Sequence, residues 1–303
     1  MAWTLVTGAS EGLGVEFARI AAKEGRNLIL TARSKDKLEN VAEEVRATGV
    51  EVVVIPADLS EMAEVDRMWS DASAGREIDV LVNNAGLGYN GPFSDGQGWA
   101  RELSSINVNM LALTRLMKLA IPQMQNLPKA RVLNVASVAA FTPGPHMAVY
   151  HATKSYVLSL SEAVAEELRG STVTVTALCP GATATNFFED ADMHGVRLLK
   201  LSKPMKAAEV AELGWLQARI GKRIVVPGAM NKVFAILPRI SPRSWPYCVQ
   251  PPDRGGFEAD RHDPHRTARL GHIHLFRRGL CPGHLFHLCR RAGGFWPVPP
   301  GRD

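Results

Sequence analysis

Two hydrophobic periods alternate along the chain to about residue 230, and that alternation limits the fold more than any single motif does. Short apolar, β-branched runs recur as WTLVT, NLILTA, VEVVVIPA, DVLVNN, RVLNVAS, VTVTALC and RIVVPG. Between them lie helical patterns, among them GVEFARIAAKEG, SKDKLENVAEEVRATG, EVDRMWSDASAG and INVNMLALTRLMKLAIPQM. Strands apolar on both faces imply a parallel sheet covered on both sides. With right-handed crossovers the expected fold is an α/β, doubly wound, Rossmann-type sandwich of seven parallel strands, one domain over residues 1–240.

Residues 241–303 break the pattern. From Trp245 onward there is no sustained period, no lysine, and a concentration of Pro, Gly, Arg and His. Of the net +5, nine arginines against five acids in Trp245–Asp303 supply +4, which leaves +1 for the rest. A balanced body with a basic tail gives no support for nucleic-acid binding. The abrupt change in usage marks an irregular tail, read as an out-of-frame or disordered extension. Its Cys281, His284, His287 and Cys289 lack the spacing of common zinc sites, so no metal is expected. No apolar run reaches the length of a membrane span. MAWTLVTGAS enters a strand directly, without the pattern of a signal peptide. Four cysteines, one of them before residue 240, form no disulfide framework and suit a reducing cytoplasm.

In an open α/β sheet, ligands bind at the carboxyl edge, where the strands end. Thr7-Gly8-Ala9-Ser10-Glu11-Gly12-Leu13-Gly14 closes the first strand and opens the first helix. Glycines there let the backbone approach a pyrophosphate resting on the helix amino terminus. The spacing is one residue wider than the usual dinucleotide fingerprint, but the strand-to-helix position is what the mechanism requires. Gly8, Ser10, Gly12, Leu13 and Gly14 are therefore candidate cofactor ligands. The second strand leads to Arg33, where an acid would hold ribose hydroxyls and signal NAD. An arginine suits a 2′-phosphate, hence NADP. NAD stays open, because Glu11 and Asp36 lie nearby in sequence. Asp58 and Leu59 end the third strand, Asp58 either holding an adenine amino group or capping the next helix. Asn84, Ala85 and Gly86 end the fourth, as turn formers at the same edge.

The fifth strand delivers Ser137 to that edge, thirteen residues before Tyr150. In VYHATK, Tyr150 and Lys154 stand at i and i+4 and share one helix face. Alone, such a pair is an ordinary amphipathic surface. With Ser137, and with Asn107 from the helix before the fifth strand, it becomes a convergence of four polar groups.

TGASEGLG, ADL, NNAG, the Asn of INVN, the Ser of NVAS, YHATK and CPGATAT occur in the order and spacing of the short-chain dehydrogenase/reductase family. The chain resembles that family over about Ala2–Ser241. PGPHMAVYHATKSYVLSLSEAVAEELRG and GKRIVVPGAMNK most resemble the bacterial ketoacyl and hydroxysteroid reductases. The resemblance implies an oxidoreductase interconverting a ketone or aldehyde and an alcohol with NADP. In it Tyr150 gives the proton, Ser137 stabilises charge on the carbonyl oxygen, and Lys154 holds the nicotinamide ribose. Asn107 anchors a water that connects Lys154 to solvent. Pro180, Gly181 and Thr183 to Thr185 pass beside the nicotinamide and its phosphates, and a homodimer or homotetramer is expected. A free phenol, with a pKa of about 10, is a poor proton shuttle near neutrality. Lys154 is expected to favour the phenolate and lower that pKa. Loops GLGYNGPF and TNFFEDADMHG, with His146, Met147 and Phe187, suggest an apolar substrate pocket suited to fatty-acyl, steroid-like or aromatic ketones. The other possibilities are an NAD-linked alcohol dehydrogenase and a dinucleotide-binding regulator that lost the chemistry. The intact Asn/Ser/Tyr/Lys set speaks against the regulator.

Overall fold

A computed structural model of the chain describes residues 2–185 and 204–240. Seven strands form one parallel sheet: β1 (Trp3–Thr7), β2 (Asn27–Thr31), β3 (Val52–Val54), β4 (Ile78–Asn83), β5 (Ala130–Val135), β6 (Val173–Leu178) and, after a short β7/β8 pair (Thr183–Ala184 and Met205–Lys206), β9 (Ile224–Val225). Their order is β3-β2-β1-β4-β5-β6-β9, and the sheet has the seven parallel strands that the alternating periods predict. From β1 the chain steps outward to β3, then returns across β1 to β4. This reversal is the topological switch point at which open α/β folds bind ligands.

The period of two along each strand divides the core. Leu5, Ile29, Leu81 and Val132 pack on one face of the sheet; Val6, Leu28, Leu30, Val80, Val82 and Leu133 pack on the other. Helices α1 (Gly12–Lys23), α2 (Lys35–Arg46) and α7 (Ala207–Arg219) cover the second face through Phe17, Leu38 and Trp215. Helices α3 (Met62–Ser73), α5 (Leu113–Met124) and α6 (Ala148–Glu167) cover the first through Met68, Leu116 and Val157. A last helix, α8 (Ala229–Ile240), ends the described chain.

The segment expected as one helix before β5 is longer and interrupted. Helix α4 (Trp99–Ile106) continues through a π-helical turn, Asn107–Ala112, into α5. Such π turns re-aim side chains and are frequent at functional sites. A buried polar chain ties α6 to the sheet: Asn83 Nδ2 donates to Asn134 Oδ1 at 2.9 Å, and Asn134 Nδ2 donates to Ser161 Oγ at 2.9 Å. The tail expectation for 241–303, and Phe187, lie outside the described residues.

Candidate active site

The first strand-to-helix turn is built on close approach. Gly8 adopts φ +64°, and a Cβ on Gly14 would stand 2.1 Å from the Gly8 carbonyl oxygen. Only glycine lets helix α1 start this near the end of β1. Asn84 holds the turn from β4: its Nδ2 donates to the carbonyls of Thr7 (3.0 Å) and Gly8 (3.1 Å). The N–H groups of Asn84 and Ala85 donate to Thr7 Oγ1, each at 3.0 Å. The Asn84 amide nitrogen thus braces the glycine turn. Gly12 faces the segment after β6, where a Cβ would meet Thr185 Cγ2 at 2.9 Å.

At the next two strand ends the expected ligands divide. Asp58 Oδ1 accepts from Ser60 N (2.9 Å) and Ser60 Oγ (2.8 Å), closing a turn ahead of α3, whose N-cap is Glu61. Leu59 is buried in the core, so its side chain packs rather than binds. Arg33 is exposed just beyond β2, and Ser34 caps α2. Glu11 pairs with Lys37, so the nearby acid is not spent on Arg33.

Helix α6 carries the central group. Tyr150 hydrogen-bonds Ser137, which extends from the end of β5. Ser137 Oγ also accepts from Ala139 N at 3.1 Å, capping a short 3-10 turn, Val138–Phe141. Lys154 is 4% exposed, and its Nζ donates to the Val135 carbonyl at 2.9 Å. The ammonium stands 5.8 Å from the Tyr150 ring centroid. Among the described residues no carboxylate pairs with it. Burial pushes the Lys154 pKa down to about 8.

Burial also pushes Tyr150 up, to about 12, with the Ser137 hydrogen bond opposing it. The expected lowering of the phenol by Lys154 is not found: burial is the largest influence and Ser137 is the group that opposes it, while the lysine is itself easier to neutralise. At neutral pH Tyr150 holds its proton.

Asn107 is not brought to this group. Its Nδ2 donates to the Ser60 carbonyl at 3.1 Å, at the loop after β3. Asn109 stands at the site instead. A Cβ on Gly86 would lie 3.2 Å from Lys154 Nζ and 3.3 Å from Asn109 Oδ1, which places amide and ammonium against the same glycine. Asn109 is held on three sides: Oδ1 accepts from Leu87 N (2.9 Å), and Nδ2 donates to the Leu87 carbonyl (2.9 Å) and to Thr153 Oγ1 (2.9 Å). The π turn is what brings Asn109 here, and a pattern read as unbroken α-helix gives no means of choosing between the two asparagines.

Around the cleft, His146 is exposed, adopts φ +64°, and accepts from Gly91 N at 2.8 Å, joining the loops after β4 and β5. Met147 is buried. Thr183 Oγ1 donates to the Gly181 carbonyl at 3.0 Å, and the Pro180 carbonyl accepts from Val138 N at 2.9 Å. The loop after β6 thus runs beside the serine turn.

A glycine turn at the switch point, with a serine, tyrosine and lysine converging beside it, defines a Rossmann-type oxidoreductase. The chain belongs to the short-chain dehydrogenase/reductase family, whose description, short chain dehydrogenase, matches residues 2–194. Very-long-chain 3-oxoacyl-CoA reductase of Anas platyrhynchos is 32% identical over 243 residues, 78% of this chain and 76% of the relative. Ketoacyl reductase HetN of Nostoc sp. is 31% identical over 246 residues, 79% of this chain and 85% of the relative. The solved short-chain dehydrogenase from Sphingobium yanoikuyae, in complex with NADPH, aligns with a TM-score of 0.71 at 28% identity. It covers 84% of this chain and 99% of that one.

Proposed function

We propose that the protein is an NADP-preferring reductase of ketones or aldehydes, with Tyr150 as the proton donor. The observation that carries this reading is the convergence of Ser137, Tyr150 and Lys154 at the strand edge beside the glycine turn. A phenol that keeps its proton at neutral pH is suited to give it to a carbonyl oxygen as negative charge develops there. Ser137 would donate a hydrogen bond to the same oxygen. The glycine turn fits a pyrophosphate, since it leads directly into the amino terminus of α1, where free N–H groups suit an anion. Exposed Arg33 fits a 2′-phosphate. When bound, the dinucleotide supplies the hydride. Lys154 would hold the nicotinamide ribose, and Asn109, rather than Asn107, would link Lys154 to solvent. The relatives named for 3-oxoacyl-CoA and ketoacyl reduction favour an apolar acyl ketone as substrate.

The test is turnover with NADPH and NADH across a panel of acyl, steroid and aromatic ketones. Tyr150→Phe keeps the ring and removes the proton donor. It should cut kcat by about 10²–10⁴-fold, the usual share of general acid catalysis, with NADPH affinity retained. A Phe variant as fast as wild type would remove Tyr150 from the chemistry.

A further inference from the structure

Helix α6 carries two adjacent pairs spaced four residues apart. Tyr150 and Lys154 form one; His151 and Ser155 form the next, about 100° around the helix. The second pair holds the turn that follows Ser137. His151 Nδ1 lies 2.6 Å from the Thr142 carbonyl, which only accepts, so the imidazole carries its proton on Nδ1 and donates. The Ala139 backbone is a second hydrogen-bonding neighbour of the ring. Ser155 Oγ donates to the Ala140 carbonyl at 2.9 Å. Space is kept for the ring by Gly144, where a Cβ would stand 2.2 Å from His151 Nε2. The ring also meets Tyr150 edge to face, centroids 6.1 Å apart at 79°.

We propose that His151 is a positioning residue, which fixes the 3-10 turn capped by Ser137 and so aims the serine at the Tyr150 hydroxyl. Ser155 assists it. One helix then presents the reacting phenol and also aligns the phenol's partner, so serine and tyrosine move together. His151 touches neither substrate nor cofactor in this account. The inference rests on the reductase reading for its effect on rate, but its structural content does not need that reading.

The experiment uses the full chain with NADPH and a ketone it reduces. His151→Leu is expected to lower kcat by about ten- to a hundredfold, the scale of a sub-ångström to ångström misplacement, with NADPH affinity unchanged. Asn places an amide N–H near the position of Nδ1, so His151→Asn should recover most of that loss. In a Ser137→Ala background, His151→Leu should cost nothing further, because its effect passes through the serine. A second readout needs no substrate. In protein carrying ¹³C-labelled tyrosine, the Tyr150 Cζ resonance of His151→Leu should move toward its position in Ser137→Ala. An unmoved resonance, an equal rate loss in both backgrounds, or an unchanged kcat in His151→Leu would overturn the proposal. If the wild type reduces no ketone, the reductase reading falls, and the resonance alone decides the role of His151.

Discussion

The two edges of the sheet both bury charge, and they handle it in opposite ways. At the amino edge the acids have guanidinium partners. Arg26 pairs with Asp79, and the two side chains are 17% and 16% exposed. Arg219 bonds Glu24 at 3.0 Å, and the Arg131 guanidinium lies 4.6 Å from the Trp215 ring centroid. Burial still raises the pKa of Asp79, with the Arg26 charge pulling against it. At the carboxyl edge the charge is unmatched. Lys154 is buried against a carbonyl and a ring face, and its pKa falls to about 8. The amino edge pairs its acids, whereas the carboxyl edge holds a buried ammonium where a ligand can use it.

The sharpest way to break this contrast is to remove the lysine. The ordinary Lys154 pKa of 10.5 becomes about 8 in the fold, so the unfolded chain binds the extra proton between those values. Stability contributed by this residue is therefore lowest below pH 8 and rises as pH climbs to 10.5. A shift of that size corresponds to ~3 kcal/mol held against the fold at neutral pH. Lys154→Met should abolish activity and yet raise the thermal midpoint at pH 7. Between pH 8 and 10.5 the advantage should fade. Cys179, whose thiol burial raises to about 12 with the Lys154 charge pulling against it, stays protonated in the fold across that window. A midpoint that drops at pH 7 would mean that the Val135 bond outweighs the desolvation. At the amino edge the sign reverses: Arg26→Met leaves Asp79 buried without its partner. It should destabilise by roughly 1–3 kcal/mol in urea unfolding, below the range for a fully buried pair, and leave kcat unchanged.

The fold was legible because a strand buried on both faces and an amphipathic helix leave different periods, and here the two alternate cleanly. Ser137, Tyr150 and Lys154 were legible for the same reason: each sits one step past a recognisable strand or at the start of a long helix. Asn109 was not. Its position depends on the π turn at Asn107–Ala112, where the hydrogen-bond register slips and faces no longer follow 3.6 residues per turn. Thr153, which hydrogen-bonds Asn109 from within the tyrosine–lysine segment, was the available hint. Asn84 and Asp58 were placed at the right edge, but whether an amide or carboxylate faces a ligand or its own backbone depends on distances that no pattern encodes. The Tyr150 pKa went the other way from expectation because burial, which decides it, is a property of the packed site.

Arg33 provides a smaller test within the carboxyl edge. It is exposed, and Glu11 is engaged with Lys37, so its charge is available to a 2′-phosphate. Arg33→Asp removes a charge-assisted contact and adds repulsion. NADPH should bind at least about tenfold more weakly, in keeping with the roughly 1.5–3 kcal/mol of a hydrogen bond to a charged group. NADH affinity should hold or improve. Equal efficiency of the wild type with NADH and NADPH would contradict the preference.

The smallest expected effect lies beyond both edges. All seven strands of the sheet, and every residue of the serine–tyrosine–lysine group, precede residue 241. Both faces of the sheet are covered by helices within the same span. A chain ending at Ser244 should therefore bind NADPH as the full chain does and unfold at the same temperature. Helix α8 makes the outcome informative, because Met230, Val233, Phe234 and Ile236 leave it with an exposed apolar surface. Residues 245–303 packed on that surface would contribute to the midpoint, and truncation would lower it. Thermal unfolding of both chains with saturating NADPH separates the cases. An unchanged midpoint with higher solubility places the whole fold, and both of its edges, before Ser244. A clear drop makes the tail part of the domain despite its lack of any period.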